Sequence, residues 1–401
     1  MKLTEGNVVS GYVKPGFEAV RETFHENFEH RNELGAACCV YYKGEKVVDL
    51  WGGIRNEATG EPWEEDTMVL VWSTTKGMSG LAMALAHSQG LYDYDEPVSR
   101  YWPEFGQQGK EKITVRQLMA HQAGLLAFPE LGDKETMADL DRLAVVLARQ
   151  KPAWEPGTRH GYHALTLGFY QSELLRRVDP EGRSLGQYFQ DEIATRLGLD
   201  FYIRLPEDIP NSRLATLRSS KFGFSAMRSA PLSFILAAMS PRSAIRRALV
   251  GTGFCLDENR IYTRNYEVPS GGGVGTARAI AHAYSVFATG GKELGIREET
   301  LQELMAPPIA PLKGSRDVAL KLESRYSLGF IRPDPKNPFG SPSSFGMPGT
   351  GGSFGFADPQ AKIGYGYVLN GLGTSFPTDP RDDALRAAMY QSIGETDLYH
   401  E

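Results

Sequence analysis

Strand-forming sequence in this chain is concentrated at its two ends. Near the N-terminus, AACCVYYKGEKVVDLWGG (residues 36–53) reads as a hairpin: two β-rich segments flank KGEK, Gly44 sits in the turn, and Gly52-Gly53 ends the second strand. Near the C-terminus, RYSLGFIRP, GSFGFADP and KIGYGYVLNGL, between residues 325 and 372, alternate or run β-rich between Gly and Pro punctuation. Between these ends, apolar residues recur at three- and four-residue intervals. The pattern is clear in GMSGLAMALAHSQG (77–90), ITVRQLMAHQAGL (113–125), HALTLGFYQSELLRRV (163–178) and TARAIAHAYSVFATGG (276–291). This distribution predicts an α/β (α+β) protein whose sheet is assembled from both termini. Terminal helices, around Phe17–Phe28 and over 382–393, would flank it. Residues 1–72 and 292–401 would form this α/β lobe and residues 73–291 an inserted, mostly helical lobe. A site in the cleft between two lobes is the natural expectation.

With 401 residues the chain buries enough surface to need neither disulfides nor a structural metal. Its formal net charge of −6 argues against a general nucleic-acid binder. Cys38, Cys39 and Cys255 show no CxxC spacing, and the adjacent pair sits in an apolar run, as buried thiols of a reducing compartment would. The N-terminal MKLTEGNVVSGYVK lacks the apolar core of a secretion signal, and no segment has the length of a membrane span. A cytoplasmic protein without stable membrane insertion is expected, and a homo-oligomer stays open. Residues 211–250 stand apart, with seven Arg or Lys and no Asp or Glu. They read as a solvated basic face, as a mobile lid over the cleft, or as a membrane-surface helix.

The stretch VWSTTKGMSG (71–80) places Ser73 and Lys76 three residues apart, so on a helix both project from one face. At a helix start Ser73 would also lie at the positive end of the dipole, with its own N–H free to stabilise an oxyanion. A lysine packed there loses solvation, which favours the neutral amine that can take the serine proton. Alone the motif is weak: about one such match is expected by chance in a chain this long. The alternative is that Ser73 or Thr74 caps the helix and Lys76 is solvated. Two further elements add to it. PAWEPGTRHGYHALTLGFY (152–170) sets Tyr162 after a Pro-Gly turn at the mouth of a helix, where its hydroxyl could shuttle protons. FGMPGTGGSFGFADP (345–359) is a Gly-rich strand entry whose backbone can approach a ligand.

The order S-x-x-K, Tyr motif and Gly-containing strand resembles the class C β-lactamase and penicillin-binding serine hydrolase superfamily, nearest to its family VIII carboxylesterases. VVDLWGG, STTKGM, LMAHQAGL, PGTRHGYHALTLGF, PSGGGVGTARAIA, YSLGF and GGSFGFADP carry the resemblance in that order over most of the chain. It implies a β-lactamase-like fold with a central antiparallel sheet, and Ser73 as nucleophile with Lys76 and Tyr162 as base and proton shuttle. It further implies an oxyanion hole from the N–H groups of Ser73 and Thr350. Met347, Gly349, Gly351, His121 and Gln122 would lie on the substrate side. The substrate would be a small-molecule ester, with no cofactor and no metal. Two departures bear on specificity. The Tyr-x-Asn of β-lactamases is here Tyr162-His163-Ala164, and Lys-Thr-Gly falls on Met347-Pro348-Gly349. Met and Pro offer neither cation nor hydroxyl to a β-lactam carboxylate, which shifts the expectation toward neutral esters. The same machinery would also serve an acyltransferase, a D-amino-acid peptidase or a weak β-lactamase, and a non-catalytic binding protein could keep the fold.

Two motifs compete with this reading. Gly351-Gly352-Ser353-Phe354-Gly355 fits G-x-S-x-G, but its flanks read as strand and turn rather than strand–turn–helix. His160 and His163 give HxxH without a neighbouring carboxylate or thiol. His121 and His282, on helical faces, read as hydrogen-bonded structural histidines.

Overall fold

The computed structural model describes residues 9–128, 133–218, 256–257, 260–375 and 378–394. The expected hairpin forms: β2 (Gly35–Tyr42) pairs antiparallel with β3 (Glu45–Asn56). Lys43 and Gly44 between them both have positive φ, 54° and 82°, the conformation that matches a two-residue turn to strand twist. Outside β3 run β1 (Val9–Val13) and the short β4 (Glu61–Pro62). A separate three-stranded sheet joins β5 (Val69–Leu70), β6 (Phe201–Tyr202) and β7 (Val274–Gly275). The late strands are β8 (Tyr326–Ser327), β9 (Phe330–Ile331), β10 (Phe345–Pro348), β11 (Phe354–Asp358) and β12 (Ile363–Leu369). The large sheet runs β1-β3-β2-β12-β11-β10-β9-β8, with β4 on β3, and is antiparallel throughout. The two ends of the chain meet at β2 and β12, where Ala36 pairs Leu369 and Tyr42 pairs Ile363.

The IGYGYVL sequence of β12 explains how both sheet faces are covered. Side chains alternate across a strand. Ile363, Tyr365, Tyr367 and Leu369 share one core with Val20 and Phe24 of the helix Glu18–His30 and Leu385 and Met389 of the helix Pro380–Ser392. On the opposite face Gly364 and Gly366 admit the helix Ala277–Ala288 so closely that a Cβ on Gly364 would lie 2.3 Å from Ala281 O, and one on Gly366 2.4 Å from Ala277 O. Gly364→Ala is therefore expected to lose about 1–3 kcal/mol by overpacking. Denaturant melts measure this, and an unchanged midpoint would mean the helix is free to back away from the strand.

The helix Thr74–Ser88 is buried at every residue except His87, as its apolar and small side chains predict. The helix expected over 113–125 is shorter. It spans Val115–Met119, opened by a capping box between Thr114 and Gln117 and followed by His121 in a left-handed conformation at φ 60°. Of the basic segment 211–250, only residues up to 218 are described. There Arg213 pairs with Asp200 at 3.0 Å and Arg218 with Glu57 at 3.3 Å, while 219–250 and Cys255 lie outside the described residues. Cys38 and Cys39 are buried free thiols. Among the described residues no helix is long and apolar enough to cross a membrane.

Candidate active site

Ser73 stands where strand turns into helix. After β5, Trp72 takes a left-handed φ of 48°, which is costly for a bulky side chain, and Ser73 then enters the helical region at φ −66°, ψ −12°. The N–H groups of Thr74, Thr75 and Lys76 bond back to Val71, Trp72 and Ser73 carbonyls, whereas Ser73 N–H has no hydrogen-bond partner among the described residues. The Ser73 hydroxyl makes no capping bond, and its side chain is partly exposed. The reading of Ser73 as a structural cap therefore fails.

Lys76 is fully buried rather than solvated. Its Nζ lies 3.1 Å from Ser73 Oγ, 2.5 Å from Ala164 O and 2.8 Å from Ser270 O. The two carbonyls hold the amine in place, and the 3.1 Å contact puts Ser73 Oγ within proton-transfer reach of it. Neither carbonyl was foreseeable from side-chain identity. Ala164 holds the third place of the Tyr-x-Asn triplet, and its carbonyl reaches the lysine where no amide side chain is available.

Tyr162 comes from a segment without regular structure ahead of the helix Thr166–Val178, and Lys76 Nζ sits 4.8 Å from its ring centroid. Burial pushes the phenol well above its ordinary range; its hydrogen bond with Ser73 pulls down and the Asp317 charge pushes up. Ser73, Lys76 and Tyr162 thus come together in one place. Asp317, which sequence reasoning missed, accepts the Tyr162 N–H at 2.8 Å.

The strand β10 leads into the turn that holds Thr350. Gly349 is needed there because a Cβ would fall 2.2 Å from Val71 O and 2.9 Å from Thr74 Oγ1, which brings this backbone against the start of the Ser73 helix. Thr350 is exposed, and its N–H is unpartnered among the described residues. The turn is anchored from behind by buried Arg381, which donates to Gly351 O at 3.2 Å while paired with Glu33 and Asp379.

Three residues expected on the substrate side are placed differently. Met347 is 1% exposed, and its Cβ lies 3.3 Å from where one on Gly77 would be, so it packs on the helix that follows Ser73. His121 is fully buried; its Nδ1 accepts the His163 N–H at 3.0 Å and its ring lies 5.2 Å from that of Tyr162. Burial first, then the positive potential of His163, Lys76 and His160, hold His121 well below the usual histidine range, as its acceptor role requires. Gln122 is buried with its amide donating to Ile309 O at 2.8 Å. Each is committed to the protein by packing that spacing alone does not reveal. Of that group, Gly349 and Gly351 stay partly exposed.

The competing motifs are also placed. Ser353 is buried; its hydroxyl donates to Val71 O at 2.9 Å and lies 3.0 Å from Thr74 Oγ1, bracing the turn against the helix. His160 Nε2 bonds Ser315 O at 2.7 Å, and His163 Nε2 accepts the Leu125 N–H at 2.8 Å. Among the described residues no group of His, Cys, Asp and Glu could hold a metal ion.

The Beta-lactamase family model matches residues 20–389. The chain is 31% identical over 373 residues to the esterase/beta-lactamase LipL of Mycobacterium tuberculosis (strain ATCC 25618 / H37Rv), covering 92% of this chain and 84% of the relative. A family VIII carboxylesterase crystal structure is 35% identical, with TM-score 0.84, over 96% of this chain and 99% of its own. A penicillin-binding protein homologue from Caulobacter crescentus is 33% identical, with TM-score 0.83, over 96% and 99%.

Proposed function

Because the chain belongs to the beta-lactamase family of serine hydrolases, we propose that it cleaves carboxylic esters through an acyl-enzyme formed on Ser73. The observation that carries the reading is the 3.1 Å approach of Lys76 Nζ to Ser73 Oγ, made by a buried lysine held on two carbonyls. Lys76 takes the serine proton as Oγ attacks the ester carbonyl. The oxyanion is met by the N–H groups of Ser73 and Thr350, both free of other partners among the described residues. The alkoxide leaves with a proton delivered through Lys76 and the Tyr162 hydroxyl, which its surroundings keep in the neutral, proton-donating form. Water then repeats the attack on the acyl-enzyme and regenerates Ser73.

Esters are favoured over β-lactams by the strand beside the nucleophile. Met347 is buried and Pro348 has no donor, so β10 presents backbone and no cation to a substrate carboxylate. A fluorophosphonate probe followed by peptide mapping tests the nucleophile. The expected adduct is on the peptide carrying Ser73, and Ser353→Ala should still be labelled there. A label on Ser353, or on no serine, would overturn the reading. A higher kcat/KM for p-nitrophenyl butyrate than for a chromogenic cephalosporin is expected alongside.

A further inference from the structure

Three consecutive N–H groups of the segment that carries Tyr162 are taken up from outside it. Gly161 N–H donates to His121 O at 3.1 Å, Tyr162 N–H to Asp317 Oδ2 at 2.8 Å, and His163 N–H to His121 Nδ1 at 3.0 Å. With no helix or sheet ladder of its own, this segment depends on such acceptors for its course.

Asp317 does more than fill one valence. It is fully buried and accepts four donors. Oδ1 takes Ala319 N–H and Leu320 N–H, each at 2.7 Å, while Oδ2 takes Tyr162 N–H and the Tyr326 hydroxyl at 2.9 Å. The Tyr326 ring in turn stacks on Tyr162, with centroids 6.1 Å apart and planes 20° from parallel. One carboxylate therefore sets both the backbone at Tyr162 and the aromatic face its ring rests on. The loop bearing Asp317 is itself tied alongside by Leu312 N–H to Gly157 O, Lys313 N–H to Thr158 O and Val318 N–H to His160 O.

We propose that Asp317 is a positioning residue for proton transfer: through the Tyr162 N–H and the Tyr326 ring it holds the Tyr162 hydroxyl in register with Ser73 and Lys76. The physical basis is that a buried carboxylate with four donors is rigid, and a phenol ring fixed at its backbone and on its face has little freedom left. Its charge acts in the same direction, since it disfavours the phenolate and keeps the Tyr162 proton available. This rests on the acyl-transfer reading above, in which Tyr162 handles a proton.

The test is a double-mutant cycle on hydrolysis of p-nitrophenyl butyrate, with Asp317→Asn, Tyr162→Phe and the pair. Asp317→Asn is expected to lower kcat by roughly 10- to 100-fold, as displacement of a catalytic group does, with little change in KM. In the Tyr162→Phe background it should have no further effect on kcat. Tyr326→Phe, which removes one donor and keeps the ring, should lower kcat less and be equally silent in that background. It carries the test should Asp317→Asn not fold. An Asp317→Asn or Tyr326→Phe loss that persists undiminished without the Tyr162 hydroxyl would show a general structural role and overturn the proposal, as would wild-type kcat in both variants. Wild-type activity in Tyr162→Phe would remove the shuttle and this proposal together, yet leave Ser73 labelling intact, so the two failures are told apart.

Discussion

Ser73→Ala is expected to lower kcat for p-nitrophenyl esters by roughly 10³- to 10⁶-fold, the range seen when a serine hydrolase loses its nucleophile. The protein should stay folded. Ser73 makes no capping bond and is partly exposed, so its hydroxyl contributes little to the start of the helix Thr74–Ser88. Two of its neighbours keep their other bonds: Thr74 Oγ1 stays on Ser353, and Lys76 Nζ stays on the Ala164 and Ser270 carbonyls. The loss should therefore appear in the rate with an unchanged denaturation midpoint. Residual turnover within tenfold of wild type would assign the chemistry elsewhere.

Lys76→Arg and Lys76→Met should each reduce kcat by about 10²- to 10⁴-fold, the contribution of a positioned base. The pair separates charge from proton transfer. Arginine keeps a cation near the two carbonyls but cannot give up its proton, so it can assist the geometry and never act as base. Methionine removes both, and leaves the Ala164 and Ser270 carbonyls short of a donor at a cost of about 1–3 kcal/mol each. Lys76→Met should accordingly be the less stable variant in denaturant melts. An arginine variant within tenfold of wild-type kcat would exclude Lys76 as the base, because no guanidinium deprotonates in this pH range.

Much of the architecture could be read from patterns that are local in the chain. The hairpin at KGEK follows from turn geometry, and the alternation in IGYGYVL announces a strand with a glycine face and an aromatic face. The Ser73–Lys76 pairing follows from helical spacing, since i and i+3 meet on one side of any helix. The expected helix over 113–125 proved too long because the left-handed His121 and the bonds it makes to the Tyr162 segment end it early. The resemblance set His121 and Gln122 on the substrate side, yet the fold turns both inward, where their hydrogen bonds hold neighbouring loops, the structural role that the sequence also suggested for His121.

Two levels of information separate cleanly in this protein. The sequence alone determined that a serine and a lysine share a helix turn, that both chain ends build one sheet, and that a family resemblance attaches a tyrosine and a Gly-rich strand to them. Only the tertiary structure decided what surrounds those groups: the carbonyls of Ala164 and Ser270 on Lys76, the left-handed Trp72 before Ser73, and Asp317 beneath Tyr162, 155 residues away in the chain. The reason is physical. Spacing along a helix is set by backbone geometry that every sequence shares, whereas carbonyl direction, burial and long-range donors exist only once distant segments have packed together.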